Sequence, residues 1–500
     1  MKKLLAVILA AALAILAVIG GLSVSSVPAG AQTVGSKKFT ESVILGEMAQ
    51  QALEKAGVPA QHRRELGGSR ILWDALRTGE IDVYPEYTGT LRFETLSDRK
   101  LASDAALPAA LRRYGLAMTQ PIGFSNGYAL AMRKDRAQEL GIRTIGDLIH
   151  FGELDIAVSN EFVARADGWN ALAAAYDLQG VQVRGIDHDL AYRALDAGQI
   201  DVTDAYTTDA EIEAYGLTLL EDDRQFFPRY DAVFLYRSDL SPAGIAALQR
   251  LAGSIDEAQM RRFNRMVRME GASERAVAAE ALGIDAATQA GPSRWQRILA
   301  RTGEHLLLVA IALGLALIIA IPLGILAARD RRLGGIVMSA TGILQTIPSL
   351  ALFVILIPVF GIGATPTIAA LFLYSLLPIV RNTHAGLTGI AAPLRDSAEA
   401  LGLSPLARLR RVELPLALPT IMAGVRTAAV IAVGLATLGA IIGAGGYGQP
   451  ILTGIRLNDT GLILEGAIPA AAMALAFEGL FHLIERRTTP RGLRQSPARG

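Results

Sequence analysis

The feature that most constrains the fold is a series of five apolar runs in the second part of the chain. A transmembrane helix needs about 20 predominantly apolar residues, and the runs approach or exceed that length. Charged residues, in contrast, are concentrated before about residue 300. We therefore predict two unlike parts, a polar domain followed by an all-α polytopic membrane domain. The runs cover approximately residues 305–327, 335–360, 366–380, 419–443 and 462–484.

The composition narrows the possible functions. The chain has 500 residues, a formal net charge of +1 and no cysteine. Without cysteine there are no disulfides, thiolate metal sites or cysteine nucleophiles, and the near-neutral charge gives no support for nucleic-acid binding. The H-E-x-x-H motif of many metal-dependent hydrolases does not occur in the sequence. We therefore predict no catalytic residue, no metal site and no nucleic-acid partner.

Residues 1–31 have the pattern of an export signal. Two lysines follow Met1, an apolar stretch extends to Leu22, and small residues end the segment at Ala29, Gly30 and Ala31. This order of charged, apolar and small residues is typical of a signal peptide. The apolar stretch is long for a cleaved signal, so an uncleaved signal anchor is the alternative. Either alternative places the residues from about Gln32 outside the cytoplasm.

Residues 32–290 are predicted to form an extracytoplasmic α/β domain. Short apolar stretches such as residues 128–132 and 155–158 alternate with helical segments, which is typical of parallel strands joined by helices. Two extended segments, residues 127–131 and 230–234, are predicted to cross between two lobes. The predicted lobes are about residues 32–129 and 232–290 for lobe 1, and about residues 130–231 for lobe 2.

Residues 291–304 link the two domains. Pro292 ends the globular part, and Arg294, Trp295 and Arg297 suit a short helix that lies at the membrane surface. We therefore predict an interfacial linker that joins the lobes to the membrane spans.

Basic residues predict the orientation of the membrane domain, residues 305–487. If the polar domain lies outside, the first, third and fifth spans lead towards the cytoplasm. Basic residues favour that side of a membrane, and they follow each of these three spans. They are Arg329, Arg331 and Arg332, then Arg381, then Arg486 and Arg487. We predict a multi-pass inner-membrane protein with an extracytoplasmic polar domain and a cytoplasmic tail, residues 488–500.

The charged segment 393–419 lies between two apolar runs and has an informative spacing. Gly402 is followed after nine residues by the sequence Val-Glu-Leu-Pro, residues 412–415. This order resembles the EAA loop of ABC importer permeases. The sequence Asp-Ser-Ala, residues 396–398, stands where that family has Glu-Ala-Ala, so the acidic charge is on a shorter side chain. The matched residues are Asp396, Ala398, Glu399, Gly402, Leu414 and Pro415.

The resemblance implies the type I permease fold of ABC importers and a cytoplasmic coupling helix that docks on a separate ATPase. The alternative is a basic connector held in the cytoplasm by Arg408, Arg410 and Arg411. The phosphate-loop motif G-x4-G-K-[ST] does not occur in the sequence. ATP and magnesium are therefore expected on the partner ATPase, with no cofactor in this chain. Because such importers pair two pore domains, the resemblance also implies a homodimer with two ATPase copies.

Five motifs of the polar domain resemble the family that binds glycine betaine, choline and related osmoprotectants. Residues 360–387 of the membrane domain resemble the permease of the same systems. The resemblance implies a two-lobed periplasmic-binding-protein-like fold (type II) that is fused N-terminally to its permease. The motifs are VGSKKFTE (34–41), DVYPEYTGT (82–90), GFSNGYALA (123–131), DAYTTD (204–209) and FFPRYDAV (226–233).

A quaternary ammonium ligand has a positive charge but no N–H group, so the negative faces of aromatic rings must hold it. The resemblance assigns this cage to Tyr87, Tyr128, Tyr206 and Tyr230, one from each of four motifs. Each ring contributes roughly 0.5–2 kcal/mol. The alternative for any single tyrosine is a core residue with a hydrogen-bonded hydroxyl.

The resemblance also implies a polar wall for a ligand carboxylate, formed by Lys37, Thr90 and Arg165. Arginine can meet a carboxylate with two parallel hydrogen bonds. For Arg165, an exposed charge near a turn is the alternative. Ser42 stands where the family often has glutamine. The choice among glycine betaine, choline, carnitine and a larger betaine such as ergothioneine therefore stays open.

Two features of the membrane domain have competing interpretations. Residues 443–448 match the dinucleotide-binding pattern G-x-G-x-x-G, but they end a span, so we predict small residues for close helix contact instead. Arg426, Glu465 and Glu478 are ionisable residues in or near predicted spans, where charge is costly. Glu465 could mark a solute path, whereas Arg426 and Glu478 lie near predicted membrane surfaces.

The predicted function is that of the binding and permease subunit of an ATP-driven ABC importer for quaternary ammonium compatible solutes. The chain is not predicted to be an enzyme. Two alternatives come from other classes, a membrane-tethered ligand sensor and a secondary transporter with a fused binding domain. The second alternative leaves the EAA-type loop unexplained.

Overall fold

The computed structural model describes residues 30–165, 167–284, 293–457 and 459–488. The chain falls into two compact units that divide near residue 291. The predicted signal up to residue 29, the start of the predicted linker (residues 291 and 292) and the predicted tail from residue 489 lie outside the described residues. The first unit contains all the described strands, and the second is helical.

The described strands of the first unit form one five-stranded sheet, one three-stranded sheet and one two-stranded sheet. The strands are β1 (Gln32–Gly35), β2 (Ala60–Arg63), β3 (Val83–Tyr87), β4 (Leu116–Met118), β5 (Tyr128–Arg133), β6 (Ile156–Ser159), β7 (Val183–Ile186), β8 (Thr203–Tyr206), β9 (Leu217–Leu219) and β10 (Ala232–Arg237). Their orders are β2-β1-β3-β10-β4, β8-β5-β9 and β6-β7. The chain leaves the first sheet after β4 and returns to it with β10, so the intervening strands form a separate lobe.

The α/β class is confirmed, but the prediction of parallel strands is correct for only some pairs. β1 is parallel to β2 and β3, and β6 is parallel to β7. β10 is antiparallel to β3 and β4, and β5 is antiparallel to β8 and β9. β5 and β10 enter a lobe directly from the other lobe. Their direction is therefore not set by a helical crossover, which is what makes successive strands parallel.

The helices of the first unit follow ordinary capping and burial rules, as α10 illustrates. The helices are α1 (Thr40–Lys55), α2 (Ser69–Thr78), α3 (Leu107–Arg112), α4 (Lys134–Leu140), α5 (Asn160–Ala164), α6 (Trp169–Ala175), α7 (His188–Asp196), α8 (Glu211–Ala214), α9 (Pro242–Gln249), α10 (Glu257–Arg268) and α11 (Glu274–Ala281). Asp256 and Gln259 form a reciprocal capping box at the start of α10. Met260, Phe263 and Val267 are buried at the helical period, so one face of α10 packs inward. Short helical turns cover Thr88–Thr90, Leu91–Thr95, Ser97–Arg99, Asp104–Ala106 and Gly146–His150.

The second unit has four described helical segments that are long and apolar enough to span a bilayer, and a bent pair of helices that makes a fifth candidate. Its helices are α12 (Arg294–Arg329), α13 (Arg331–Thr346), α14 (Ser349–Phe360), α15 (Ala364–Thr388), α16 (Ala392–Ala400), α17 (Pro405–Arg408), α18 (Leu414–Ala436), α19 (Gly448–Leu457) and α20 (Thr460–Thr488). A π turn, Leu409–Glu413, joins α17 to α18, and a 3-10 turn, Thr437–Ile442, follows α18. These segments agree with the multi-pass all-α prediction.

Three of the predicted spans differ from the observed helices. The run 335–360 is not one helix, because α13 and α14 meet at 98° beside Pro348, which has no N–H to donate. α12 begins at Arg294 and continues for 36 residues, so the predicted short surface helix is not separate but is the first part of the helix that contains the first predicted span.

The third predicted span, residues 366–380, is longer in the structure because α15 continues through polar residues to Thr388. Asn382 and Thr383 donate hydrogen bonds to the carbonyls of Pro378 and Ile379 at 2.8 and 2.7 Å. These bonds satisfy the polar side chains within the helix itself.

Close contacts at small residues hold α15 against its neighbours. A Cβ added to Gly324 of α12 would lie 2.5 Å from Thr383 Cβ, and one added to Gly424 of α18 would lie 2.6 Å from Asn382 Cβ. Within a bilayer, the hydrophobic effect does not drive helices together, so close packing at small residues such as glycine stabilises their contact. α15 is therefore the central helix of the unit, with its buried residues packed against both α12 and α18.

Candidate functional site

Tyr128 lies at the centre of an aromatic cluster in the first unit. It is the first residue of β5 and pairs in register with Tyr206 of β8. Their ring centroids are 4.9 Å apart and their hydroxyl oxygens 3.2 Å apart. Tyr230, two residues before β10, packs edge-on against Tyr128 at 5.8 Å. The fold therefore brings together three of the four tyrosines that the sequence predicts as a cage.

Two phenylalanines that the sequence reasoning missed extend this cluster. Phe162 lies 5.0 Å from Tyr128 and is fully buried, so it supports the ring from the protein side. Phe227 stacks on Tyr128 at 6.4 Å and is half-buried. Asp222 accepts hydrogen bonds from the N–H groups of Phe226 and Phe227 at 2.9 and 2.8 Å, which fixes this turn. Phe227 belongs to the FFPRYDAV motif, so this motif could have indicated that Phe227 lies beside Tyr230 in the site.

Tyr87 is in a different environment. It ends β3, its ring stacks on Phe39 at 6.3 Å, and the ammonium nitrogen of Lys37 lies 5.2 Å from its centroid. Its hydroxyl donates to Glu41 Oε1 at 2.5 Å. Burial, with the nearby Glu41 carboxylate, raises the pKa of Tyr87 well above its usual value. Among the described residues, Tyr87 makes no ring contact with Tyr128.

Arg165 lies against the aromatic cluster and is not an exposed charge. Its guanidinium carbon is 5.4 Å from the Tyr128 centroid and 6.0 Å from the Tyr230 centroid. Two parallel hydrogen bonds of 2.8 Å join it to Asp167, and a third of 2.9 Å joins it to Glu94. Burial alone would raise the pKa of Asp167, but the hydrogen bonds and charge of Arg165 hold it below its usual range. Two rings and two carboxylates thus hold the guanidinium.

The other predicted polar residues face partners within the protein. The Lys37 ammonium forms a buried ion pair with Glu86. Ser42 Oγ accepts a 2.9 Å hydrogen bond from the Lys37 N–H, so it fixes the loop before α1. Thr90 is buried in the short helical turn after β3. A Cβ on its neighbour Gly89 would lie 2.3 Å from the Tyr230 ring, which places this turn directly against the cluster.

His188 of α7 supports Tyr206 and was also missed. Its ring lies 4.8 Å from that of Tyr206, and its Nε2 lies 3.1 Å from Asp209 Oδ2. Its Nδ1 lies 3.8 Å from Asp204 Oδ2. Burial opposes protonation of His188, but Asp204 and Asp209 outweigh it and raise its pKa well above its usual range. Both aspartates lie in the DAYTTD motif, whereas no sequence pattern marked the histidine.

The EAA-type loop forms two short helices separated by a glycine turn. Gly402 has a φ of +73°, in the left-handed region that favours glycine, and it ends the turn after α16. Ala398 is the buried residue of α16, while Asp396 and Glu399 are exposed. Leu414 and Pro415 are half-buried at the start of α18. Three large apolar side chains of the loop are exposed, Leu394 by 50%, Leu401 by 80% and Leu406 by 57%.

Ion pairs fix this loop to the spans. Glu413, which is 4% exposed, pairs with Arg329 at the end of α12 and lies 3.3 Å from Arg408 Nε. Arg408 also donates to Glu399 at 2.8 Å. The loop therefore has a buried charged base and an exposed apolar surface.

Ion pairs also account for two of the three membrane charges. Glu465, which is 6% exposed, accepts hydrogen bonds from Arg297 at 2.9 and 2.8 Å and lies 3.5 Å from Arg294. It thus holds α12 to α20. Arg426 lies 3.8 Å from Glu485, and Glu478 is exposed on α20.

The glycine-rich segment 443–448 packs against the start of α12. The Gly446 N–H donates to Glu304 at 2.8 Å, and the Tyr447 N–H donates to His305 Nδ1 at 3.3 Å. A Cβ on Gly448 would lie 1.8 Å from the Thr437 carbonyl oxygen. The neighbouring elements on both sides are helical, which is the setting for close helix contact and not for a dinucleotide.

Comparison with known families covers both units. Residues 33–283 match the family described as the substrate binding domain of ABC-type glycine betaine transport systems. Residues 320–490 match the inner membrane component of binding-protein-dependent transport systems.

Three similar proteins each cover half of this chain or less. The osmoprotectant import permease protein OsmW of Salmonella typhimurium is 45% identical over 198 residues, which are 39% of this chain and 92% of that protein. The permease protein OpuCB of the glycine betaine/carnitine/choline transport system of Bacillus subtilis is 42% identical over 196 residues, 39% of this chain and 90% of that protein. A crystal structure described as a glycine betaine/carnitine/choline ABC transporter is 27% identical with a TM-score of 0.46, over 50% of this chain and 97% of that one.

We expect Tyr206→Ala and Tyr230→Ala each to weaken binding of quaternary ammonium compounds by more than tenfold, because each change removes a ring beside Tyr128. Titration calorimetry with glycine betaine and choline measures this affinity. Tyr215→Ala is the matched control, since Tyr215 belongs to a separate cluster in lobe 2, and it should leave the affinity unchanged. Unchanged affinity in both cluster variants would reject the aromatic site.

The charge of His188 predicts a pH-dependent stability. Because its pKa is raised in the folded state, its contribution is fully present below about pH 6.5 and is lost as the pH rises through the raised pKa. His188→Gln should therefore lower the melting temperature at pH 6 by roughly 2–4 °C, the shift for about 1 kcal/mol in a domain of this size, and by less at pH 10.

Thermal unfolding of the first unit across this pH range measures the effect. His150→Gln is the control, because His150 is exposed in the same lobe. A destabilisation by His188→Gln that is equal at every pH would contradict a charged His188.

Proposed function

This chain belongs to the family of substrate-binding domains of ABC-type glycine betaine transport systems and carries an inner-membrane transport component in the same polypeptide, and on this premise we propose that it captures a quaternary ammonium solute outside the cytoplasm and passes it through a pore built from two copies. It is the fused binding and permease subunit of an ABC importer. An ATPase partner and a small ligand belong to that class of protein.

The observation that supports the ligand class is the cluster of Tyr128, Tyr206 and Tyr230. The Tyr206 and Tyr230 ring centroids lie 4.9 and 5.8 Å from that of Tyr128, and the Arg165 guanidinium already lies against Tyr128 and Tyr230, so these rings are placed to hold a cation that cannot donate a hydrogen bond. Micromolar affinity requires about 8 kcal/mol, of which each ring supplies roughly 0.5–2 kcal/mol. The named relatives are permeases for osmoprotectants and for glycine betaine, carnitine and choline, and the last three solutes are quaternary ammonium compounds.

Arg165 is the residue that would meet a ligand carboxylate. Of its two carboxylate partners, Asp167 is 11% exposed and Glu94 is 41% exposed. A ligand carboxylate would therefore replace the more exposed Glu94 and leave the bidentate pair with Asp167 intact. Lys37 is already paired with the buried Glu86. Its main role would therefore be to neutralise the Glu86 charge in the polar wall, and not to bind the ligand carboxylate.

The EAA-type loop supports coupling to a motor. Concentrating a solute ten-thousandfold costs about 5.6 kcal/mol at about 1.4 kcal/mol per tenfold. Leu394, Leu401 and Leu406 are exposed apolar residues of this loop. The base of the loop is fixed by the ion pairs of Glu413. We assign them to the contact with the ATPase, which would bring ATP and magnesium. This chain then performs no catalysis itself.

The assembly and its orientation belong to the same proposal. A homodimer with two ATPase copies would supply the two pore domains of an importer. Arg329 and Arg408, which hold the loop, would lie in the cytoplasm, and the binding unit would lie outside. Of the two alternatives, a membrane-tethered sensor would not explain the match to the permease family. A secondary transporter would take up solute without any ATPase.

Reconstitution with the ATPase tests the proposal. Gly402→Val forces a β-branched residue into the left-handed conformation, and a Cβ at this position meets no atom within 4 Å, so its effect comes from the backbone alone. We expect solute-stimulated ATP hydrolysis and uptake to fall more than tenfold, with solute affinity unchanged.

Gly402→Asn is the matched control, because asparagine tolerates this conformation and should retain most of the activity. Uptake that continues at the original rate in Gly402→Val, or that needs no ATPase at all, would contradict the proposed function.

A further inference from the structure

The bent pair of α13 and α14 contains a break in helical structure that belongs neither to the aromatic cluster nor to the EAA-type loop. The two helices meet at 98° and are separated by Ile347 and Pro348. Pro348 has no N–H, and Ile347 is extended, with a ψ of 125°. The carbonyl groups in the last turn of α13 therefore have no backbone N–H donor in their own helix, although the Thr346 hydroxyl donates to the carbonyl of Ile343 at 2.7 Å.

Tyr374 of α15 shows the depth of this break in the membrane. Its hydroxyl donates a hydrogen bond to the carbonyl of Ile347, and Gln345 Nε2 lies 3.5 Å from the carbonyl of Tyr374 itself. Tyr374 lies near the middle of a helix of 25 residues, about 15 Å from its first residue at 1.5 Å per residue. The hydrocarbon core is about 30 Å thick, so the break lies near the bilayer midplane.

The second unit does not cover the break. Thr346 and Pro348 are exposed, and Gln345 and Ile347 are half-buried. At this depth, irregular backbone does not face lipid, because its polar groups would have no partners there; it is buried in protein or lines a water-filled cavity. By this rule, an uncovered break at this depth is expected to face a water-filled cavity or a second copy of the chain and not lipid.

We propose that the break at residues 345–348 lines the path of the solute through the permease and contacts its ammonium group. The C-terminal end of a helix carries partial negative charge, which favours a cation. Carbonyl oxygens can contact a cation that has no N–H group through their partial negative charge. Gln345 adds a polar side chain to the break. Broken helices that present backbone groups to a solute near the midplane recur in transporters. This inference rests on the proposed function, from which it takes the chemistry of the solute.

A single-cysteine experiment tests the path directly. The chain has no cysteine, so Thr346→Cys in the full-length protein with its ATPase, in proteoliposomes, has no background thiol. The probe is a methanethiosulfonate reagent with a trimethylammonium group, which reacts with thiols in contact with water. We expect modification to lower choline or glycine betaine uptake at least fivefold, and an excess of the transported solute to slow the modification at least threefold.

Ile318→Cys is the matched control, because Ile318 is 67% exposed within the apolar part of α12 and should remain unmodified. Thr346→Cys that reacts no faster than Ile318→Cys would overturn the proposal and place lipid or a second copy of the chain against the break. Modification that the solute does not slow would overturn it as well.

A second variant keeps the test independent of the introduced thiol. Gln345→Leu removes the polar side chain and should raise the KM for uptake more than threefold while solute affinity of the binding unit stays unchanged. An unchanged KM would count against the path. Absence of uptake by the unmodified protein with its ATPase would refute the proposed function itself, whereas uptake by that protein with an inert Thr346→Cys would refute only the path.

Discussion

The hydrocarbon core of a bilayer accepts neither unpaired charges nor unpaired backbone groups, and the second unit follows this constraint. Glu465 is held by Arg297, and Glu413 is held by Arg329 at the other end of the same helix. Between these pairs, small residues let α12, α15 and α18 pack closely. The break at Ile347 departs from regular helix, and there the Tyr374 hydroxyl supplies a hydrogen bond to the Ile347 carbonyl; this is where the proposed solute path would make contact.

The first unit deals with buried charge in a related way. Arg165 and Lys37 are each paired with carboxylates and each lie near a tyrosine ring. Pairing keeps the polar wall close to neutral, and in the proposed site the rings around Tyr128 would be shared between the ligand cation and Arg165, which lies against Tyr128 and Tyr230. His188 adds a charged support behind one of these rings. In the proposed site, the aromatic faces would recognise the ligand, and the ion pairs hold those faces in place.

Sequence patterns predicted most of the architecture, because apolar length, basic clusters and motif spacing are local properties. Through the family resemblance, the motifs placed Tyr87, Tyr128, Tyr206 and Tyr230 in one cage; the structure brings the last three rings together, whereas Tyr87 stacks on Phe39. They did not find Phe162 or His188, whose roles depend on contacts between elements distant in sequence. The bend at Pro348 was missed for another reason: a run of apolar residues reports the length of a span but not the backbone interruption that a proline causes within it.

The most direct test asks on which side of the membrane each part of the chain lies. The proposed function requires the binding unit outside the cytoplasm and the EAA-type loop inside it. Single cysteines at Ser103 of the binding unit and Leu401 of the loop, both exposed, can be labelled with a membrane-impermeant thiol reagent in intact cells and in inside-out vesicles. The account predicts that Ser103→Cys is labelled only in intact cells and Leu401→Cys only in inside-out vesicles. Labelling of both positions from the same side would contradict it.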